Sequence, residues 1–512
     1  MLRFLLRAAL FAGAWAALAR AQDAAPAPGA PPPALTDATP SQSSQPLTID
    51  ECVAQALAKN FSVRVQGYSV DSAKAGVIIA KSYYDPVFGV QWQKQVSQSP
   101  QVVTTLATVG GGQKPKTDNQ STSASLTQQI ITGGTVTANY SLARNSNNNL
   151  QTLLNPAYDG ADSIVVSQPL LAGAGSAYAR AQIDLAKLGL TVANLNFRSS
   201  VLTAIFNVET AYYNLIYTRK NLEVTRANVV LAQRLLDENT TKRQTGVLTD
   251  LDVVTAQAQL ATAQSQTITA RQAMENAEDT LYAAMGATDF STPVGVVDFP
   301  PLPAASASFF VSYKLARDNG PSLAIAQTMM SELKLDALRA KRNALPTLNV
   351  NAGAGYTDAE HSYTDAENQL WPGPGYNWST GLTLSFPWGL RQSRALYRQA
   401  MDNLNQQQVN FDQADQQLIV QVRQAVRAVA ADQQNVKSSS EAAVLSQKQY
   451  ELQKAKFDQG LATSLDVLNA QTLLEQARVT ELQAEVSLRI AIANLHFLEG
   501  SSLQAYRVNL QP

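Results

Sequence analysis

The sequence predicts an α+β membrane protein with a duplicated unit, in which helices lead into antiparallel strands and the strands lead into a long helical hairpin. Three observations predict this fold. The phrase RQTGVLTDLDVVTAQ at 243–257 returns 214 positions later as FDQGLATSLDVLNAQ at 457–471. In each copy the hydrophobic period changes from helical to two after a proline. Each copy also contains a helical stretch far longer than an ordinary globular helix.

The N-terminal segment predicts export from the cytoplasm. Arg3 and Arg7 precede an apolar run that ends in small residues, so residues 1–21 are predicted to be a secretory signal peptide. Residues 22–46 are rich in Ala, Pro and Ser and are predicted to be a disordered linker.

The composition argues against several functions. The formal net charge is −1 and 15% of the residues are charged, so the chain lacks the basic excess of nucleic-acid binders. The two histidines, His361 and His496, do not lie at the spacing of a catalytic triad or a metal site. The stretch GGGQKPKT lacks the Gly-Lys-Ser/Thr of a phosphate loop. We therefore predict no enzyme activity, no cofactor, no metal and no nucleic-acid partner.

The two copies begin in the same way. Residues 47–81 and 310–342 have a helical pattern, and Pro86 and Pro346 follow at the same offset. Because proline cannot continue a helix, each helix is predicted to stop there. The predicted domains are a first repeat at 47–286, an inter-repeat linker at 287–308, a second repeat at 309–500 and a C-terminal tail at 501–512.

Strands are predicted within 87–169 in the first copy and within 348–386 in the second. Apolar residues alternate there with small or polar ones, as at Leu348, Val350 and Ala352. One apolar and one polar face suit a transmembrane β-barrel, with lipid outside and water inside. A soluble β-sandwich alternates in the same way, so alternation alone leaves both architectures open.

The first copy has an additional hairpin at 121–142, which turns at Thr132-Gly133-Gly134. Long loops are predicted at 97–120 and 143–162, on the side opposite to this short turn, as in outer membrane barrels. The strand count is then four in the first copy and two in the second. Neither four nor six strands close a transmembrane barrel, and an open edge cannot face lipid, so several chains must complete it.

Long helices are predicted at 178–244 and 391–459, where no proline interrupts the chain. Each would be about 100 Å long if continuous. Leucines recur every seven residues at Leu188, Leu195 and Leu202, which is typical of a coiled-coil seam.

The repeated phrase predicts the tip of a helical hairpin in each copy. Gly246 and Gly460 suit the left-handed end of the outgoing helix, and Thr249 and Thr463 suit the cap of the returning helix. The return helices are predicted at 251–285 and 465–498, closing at Gly286 and Gly500.

Several segments together resemble the TolC-like outer membrane efflux proteins, also called outer membrane factors. They are LTIDECVAQALAKN, the helix-then-proline entry to the strands, SQPLLAGAGSAYARAQ after the strands, and the doubled G-x-x-T-x-L-D-V-x-x-A-Q tip. The resemblance implies a homotrimer in the cell outer membrane, with a β-barrel joined to a long α-helical barrel that extends into the periplasm. It implies a passive, gated exit duct of a tripartite efflux or type I secretion system. Its partners would be a periplasmic adaptor (membrane fusion) protein, an inner-membrane pump and outer membrane lipid.

The sequence departs from the prototype of that family at the hairpin and at the second tip. The additional hairpin would give three chains eighteen wall strands instead of twelve, unless it lies outside the wall. Phe457 and Ala462 match the Tyr and Arg that close the prototype's aperture, and neither can make those hydrogen bonds. The closing contacts must therefore differ, or the resting tip is looser.

The resemblance implies a periplasmic aperture at the tips, and we assign it Asp466, Asp252, Asn469 and Phe457. Asp466 and Asn469 match the prototype's two aperture acids, of which only Asp466 is acidic here. In a trimer Asp466 would form a ring of carboxylates, which favours cations. The alternative is that Asp252 and Asp466 stabilise helix N-termini, where negative charge is favourable.

A docking surface for the adaptor is also expected at the tips, because tip-to-tip assembly needs a repeated and partly apolar surface. The alternative is that its leucines and valines only hold the two arms of each hairpin together. The candidate residues are Gly246, Leu251, Val253, Gly460, Leu465 and Val467.

A second function class competes with the exit duct. A soluble periplasmic coiled-coil scaffold, in which the β-segments form a small sandwich, would have the same periodicities. Within the duct hypothesis the pump selects the cargo, so the sequence does not name it.

Overall fold

The computed structural model describes residues 47–100, 114–149, 152–290, 295, 297–299, 301, 308–370 and 375–508. The predicted signal peptide at 1–21 and linker at 22–46 lie outside the described residues. The helices of the described residues are α1 Ile49–Lys59, α2 Phe61–Lys81, α3 Ser176–Gln244, α4 Asp250–Met285, α5 Phe309–Asn319, α6 Pro321–Asn343, α7 Tyr363–Asn368, α8 Arg391–Asp458, α9 Ser464–Glu499 and α10 Ser502–Ala505. Its strands are β1 Val87–Gln98, β2 Lys116–Gln129, β3 Thr135–Asn147, β4 Ala157–Pro169, β5 Thr347–Glu360 and β6 Gly375–Ser385.

The helical segment that opens each half is broken in two, whereas the sequence predicted one continuous stretch. Between α1 and α2 the side chain of Asn60 accepts hydrogen bonds from the backbone N–H groups of Ser62 and Val63. It thereby caps α2, because an asparagine oxygen satisfies donors that have no intrahelical partner. Between α5 and α6, Gly320 is extended and Pro321 occupies the first turn of α6, where its missing N–H costs nothing.

The described strands form one antiparallel sheet in the order β1-β2-β3-β4-β5-β6. The predicted count of four strands followed by two is confirmed. The predicted loops at 97–120 and 143–162 are wrong in extent, because β2 already begins at Lys116 and β3 continues to Asn147. Polar residues such as Asn119 and Asn145 pair with each other in these strands. The prediction took such polar stretches for loops. Since the described strands form a single sheet, the predicted two-sheet sandwich does not describe this part of the chain.

Two helical hairpins make up most of the remaining fold. The long helices α3 and α8 have 69 and 68 residues, which corresponds to about 100 Å each. Helix α3 packs against α4, α8 packs against α9, and α9 also contacts α3. These helices and their return at the tips confirm the predicted hairpins to within two residues at each end.

The largest core cluster lies where α1, α3, the end of α4 and the C-terminal residues meet. Tyr212 on α3 is fully buried there. Its hydroxyl oxygen lies 3.1 Å from the carbonyl oxygen of Leu47 and 2.6 Å from that of Asp298, so it can donate a hydrogen bond to either. The only cysteine, Cys52, is also buried in this cluster. The core therefore fixes the first hairpin at the end remote from its tip.

Among the helices that the structure describes, none combines the length and apolar character needed to cross a bilayer.

Candidate gate at the hairpin tips

Both hairpin tips turn through the same backbone motif. Gly246 and Gly460 have φ angles of +78° and +74°, a conformation that costs glycine little because it has no Cβ. In the first tip the N–H of Val247 donates to the carbonyl of Lys242 (2.8 Å), and in the second the N–H of Leu461 donates to that of Lys456 (2.8 Å). These bonds are those of a Schellman motif, which satisfies carbonyls at the end of a helix. The predicted role of the two glycines is confirmed.

The returning helices begin with matched capping boxes. The backbone N–H of Asp252 donates to Thr249 Oγ1 (3.4 Å), and Thr249 N–H donates to Asp252 Oδ2 (3.0 Å). Thr463 and Asp466 make the same pair at 3.2 and 2.9 Å. Each threonine hydroxyl also donates to the aspartate, which lowers the pKa of both carboxyls below the ordinary 3.8. Asp252 and Asp466 are therefore ionised at neutral pH and serve as helix caps.

The tips differ at the first residue of the returning helix, and the residue of the second tip makes a hydrogen bond to the first hairpin. Asp250 forms an ion pair with Arg243 on its own hairpin. Its counterpart Ser464 is buried and accepts a hydrogen bond of 2.6 Å from Asn239 Nδ2 on α3. The same amide also donates to the carbonyl of Asp252 at 3.2 Å. Asn239 thus bonds to the beginnings of both returning helices.

Phe457, one of the predicted aperture residues, is 2% exposed and joins the two hairpins. Its ring packs with Leu235 of α3 and Val467 of α9. Lys242 Nζ lies 3.5 Å from the ring centroid and donates to the carbonyl oxygen of Phe457 at 3.3 Å. A cation over an aromatic face is attracted by the ring quadrupole. Ala462 packs against the same cluster, so packing and a cation–π contact join the two hairpins at this position.

An ion pair strengthens the same junction. Lys454 on α8 pairs with Glu238 on α3, and with Asp458 at 3.0 Å. Burial by itself lowers the pKa of Lys454, but the bonds and charges from the two carboxylates outweigh it and raise that pKa above 10.5. Its ammonium lies 5.6 Å from the Phe457 ring centroid. We call Glu238, Lys242, Lys454 and Phe457 the tip clasp.

A cluster of buried polar side chains also joins α3 to α9, further from the tips. Gln471 Nε2 donates to Asn228 Oδ1 at 2.5 Å, and Asn228 Nδ2 donates to Glu475. Burial raises the pKa of Glu475 above its ordinary 4.5, although the bond from Asn228 opposes the shift. The two hairpins are therefore held together by ion pairs and hydrogen bonds as well as by packing.

The predicted docking residues fall into two groups. Gly246, Leu251, Gly460 and Leu465 are exposed, with Leu251 at 73% and Leu465 at 55%. Val253 is half-buried, and Val467 is buried in the Phe457 cluster, as expected for a seam residue. Asn469, the remaining aperture candidate, is exposed on α9.

The sequence analysis missed two kinds of residue at the tips. Val247 and Leu461 are 69% and 74% exposed beside the turn glycines, and the repeat itself was a signal for them because they lie 214 positions apart. The clasp residue Lys454 had no such signal, because Thr240 stands at its place in the first copy, whereas the repeat does match Lys242 with Lys456. In the parts of the chain that the structure describes, three or more His, Cys, Asp or Glu side chains do not come together as a metal site would require.

A family model described as outer membrane efflux protein matches residues 164–287 and 312–501, which together are more than half of the chain. The chain belongs to the outer membrane efflux protein family.

A curated relative is similar to the chain in sequence, and two solved structures are similar to it in fold. The chain is 27% identical over 288 residues to the outer membrane protein TolC of Salmonella enteritidis, which covers 52% of this chain and 55% of that protein. It thus spans about half the length of the curated relatives it matches. A membrane protein from Pseudomonas aeruginosa has the same fold at a TM-score of 0.67 and 16% identity, with 88% of this chain and 90% of that one covered. The Campylobacter jejuni CmeC outer membrane channel has a TM-score of 0.64 and 16% identity, with 90% of both chains covered.

As an outer membrane efflux protein, the chain is located in the outer membrane and extends into the periplasm. Its family consists of channel and efflux proteins and is not a known family of enzymes.

Proposed function

We propose that the protein is a passive, gated exit duct of a tripartite efflux or type I secretion system and that it acts as a homotrimer of duplicated units. One observation carries the proposal: the chain joins a single open sheet of six strands to two helical hairpins whose long helices each span about 100 Å. Six strands do not close a transmembrane barrel, so other copies must complete the wall. Helices of that length suit the crossing of the periplasm.

Membrane extraction tests this proposal against the soluble scaffold. A duct is expected to sediment with the outer membrane, to require detergent for release, and to migrate as a trimer whose mobility changes on heating. A monomer that remains in buffer after cell lysis would contradict the proposal.

The tips are the proposed gate. In each subunit the tip clasp holds the second hairpin against the first, and we propose that conduction requires these contacts to loosen. Asp466 is exposed and ionised, so three copies would place a carboxylate ring at the narrow end and favour cations. Asn469 is exposed one turn further along α9 and would line the same opening.

The repeat supplies a matched control for the gate assignment. Asp466→Ala and Asp252→Ala each remove one capping box of the same geometry, so a cap effect should be similar in both. Of these two aperture candidates Asp466 is exposed and Asp252 is half-buried, so only Asp466→Ala is expected to raise single-channel conductance in planar bilayers and to weaken block by divalent cations. Equal conductance and equal block in the two variants would assign both aspartates to capping alone.

The proposed partners are a periplasmic adaptor protein, which engages the tips, and an inner-membrane pump. The docking surface consists of Val247, Leu251, Leu461 and Leu465, which are exposed in matching places on both tips. Cysteines at Gly246 or Gly460 would strain a left-handed backbone, so Leu251→Cys and Leu465→Cys are the better probes. They are expected to crosslink to the adaptor in cells, whereas Val444→Cys, exposed on α8 several turns before its end at Asp458, is not. Failure of both tip cysteines to capture the adaptor would contradict docking.

A further inference from the structure

The register of the sheet places apolar side chains from all six strands on one face. Residues directly opposite in an antiparallel pair point to the same side. One continuous row across the sheet reads Phe88, Leu126, Ala138, Ile164, Ala354 and Trp378. The adjacent row on the other face reads Gly89, Ser125, Asn139, Ser163, Gly355 and Asn377.

The additional hairpin β2–β3 takes part in this sorting: β3 follows it throughout, and β2 follows it at Leu126 and Ala124 but also places Thr122 and Gln128 on the apolar face. Strand β2 pairs with β1 as far as Val87 and with β3 as far as Gln129, so the hairpin lies inside the sheet and separates β1 from β4. On β3, Val136, Ala138, Tyr140 and Leu142 share the apolar face and alternate with polar residues. An appendage outside a membrane would have no reason to keep an apolar face in register with its neighbours.

Toward one end of the strands this apolar face becomes polar. On β4 and β5 the change begins at Asp162, opposite Tyr140, and at Asp358, opposite Gly160. The row that lies two residues beyond Trp92 and Leu142 is polar or charged on five strands: Lys94, Gln120, Arg144, Tyr158 and Glu360. The strands are 11 to 14 residues long, which reaches or exceeds the roughly 9–11 residues that cross a bilayer when tilted. The hairpin strands are therefore long enough to cross it like the others.

The two edges of the sheet are suited to other copies of the same chain. Strands β1 and β6 are its edges, and their side chains are exposed, including Trp92 (62%) and Leu382 (72%). Because the six strands alternate in direction, β6 of one copy is antiparallel to β1 of the next and continues the pattern. Unpaired edge groups cannot face hydrocarbon, so each edge needs this partner.

We infer that every subunit contributes six strands to the transmembrane wall and that the β2–β3 hairpin is part of this wall. The inference rests on the proposed trimer, which then has eighteen strands. A wall of 16 to 18 strands encloses a water-filled channel. The outer membrane segment would consequently be wide, and the helical tips would be the narrow part of the duct.

Spin labels on matched residues test the inference in the full-length protein reconstituted in lipid bilayers. Ala138 and Asn139 lie on the hairpin, and Ile164 and Ser163 lie directly opposite them on the neighbouring strand β4. Each is replaced by cysteine and labelled, while the native Cys52 is buried. Labels at Ala138 and Ile164 are expected to be relaxed by oxygen dissolved in lipid, and labels at Asn139 and Ser163 by an aqueous nickel chelate.

The two possible failures are distinguishable. If the label at Ile164 is in lipid but the label at Ala138 is in water, the hairpin lies outside the wall and the inference is overturned, while the proposed duct stands. If the label at Ile164 is also in water, the sheet does not face lipid and the proposed function fails with it. Disulfide pairing between cysteines on β1 and β6 checks the subunit number: ladders that end at three subunits support the trimer on which eighteen strands depend, and ladders that end at two overturn that strand number.

Discussion

At the scale of single residues, Lys242 is the side chain that the tip clasp depends on most. Its ammonium contacts both the ring and the carbonyl oxygen of Phe457. Lys242→Met keeps the length of the side chain and removes the charge, so it should cost about 0.5–2 kcal/mol of local stability. If the cost lies in the upper half of that range, the backbone N–H groups of residues 457–463 should exchange roughly 5- to 30-fold faster.

The matched control for this prediction is Lys242→Arg, which keeps a cation able to lie over the ring. It is expected to restore most of the protection. Loss of protection in both variants would mean that packing alone, and not the cation, holds Phe457 in place.

Glu475 predicts a pH dependence with a definite sign. Burial raises its pKa in the folded protein above 4.5, so the folded state retains the proton to higher pH than the unfolded state. Its contribution to stability is therefore complete below about pH 4.5 and is lost as the pH rises through the folded pKa. Glu475→Gln cannot ionise and should gain thermal stability relative to wild type as the pH is raised from about 4 to 8.

The control for Glu475 is Glu441→Gln, on the exposed surface of α8. A gain with rising pH that is no larger for Glu475→Gln than for this control would contradict a raised pKa at Glu475.

At the scale of elements, the capping boxes predict how each returning helix begins. Thr249→Ala and Thr463→Ala each remove a side-chain acceptor for a helical N–H, which typically costs about 1 kcal/mol. Exchange in the first turn of α4 or α9 should rise about fivefold. Thr→Ser at either position keeps the hydroxyl and should change little. An effect confined to α9 would show that the two tips, despite equal geometry, are not equally stabilised.

The elements also show what the sequence could predict. Gly246, Thr249, Gly460 and Thr463 specify their turns and caps locally, through backbone freedom and short hydrogen bonds, so the hairpins were predicted nearly to the residue. The breaks at Asn60 and Gly320 were missed because the hydrophobic pattern continues through them.

The sheet and the clasp were harder to predict, for a different physical reason. The length of β2 and β3 depends on pairing with neighbouring strands, which polar residues such as Asn119 do not reveal. The clasp depends on contacts between residues more than two hundred positions apart, such as Lys242 with Phe457. No local pattern encodes such contacts.

At the scale of the whole molecule, the sheet and the hairpins have different roles in the proposed duct. The sheet would present an apolar face to lipid and a polar face to water, and the hairpins would provide the length and the gate. If the wall has eighteen strands, resistance to flow is concentrated at the tips. Changes at the clasp should then control conductance.

Single-channel conductance in planar bilayers tests this central claim most directly, with Lys242→Met/Lys454→Met as the variant and the corresponding double arginine variant as control. The wild type and the control should form channels of low conductance, and the double methionine variant should conduct several-fold more because its clasp has lost both cations. Equal conductance in all three proteins, or no channels in any of them, would contradict the account.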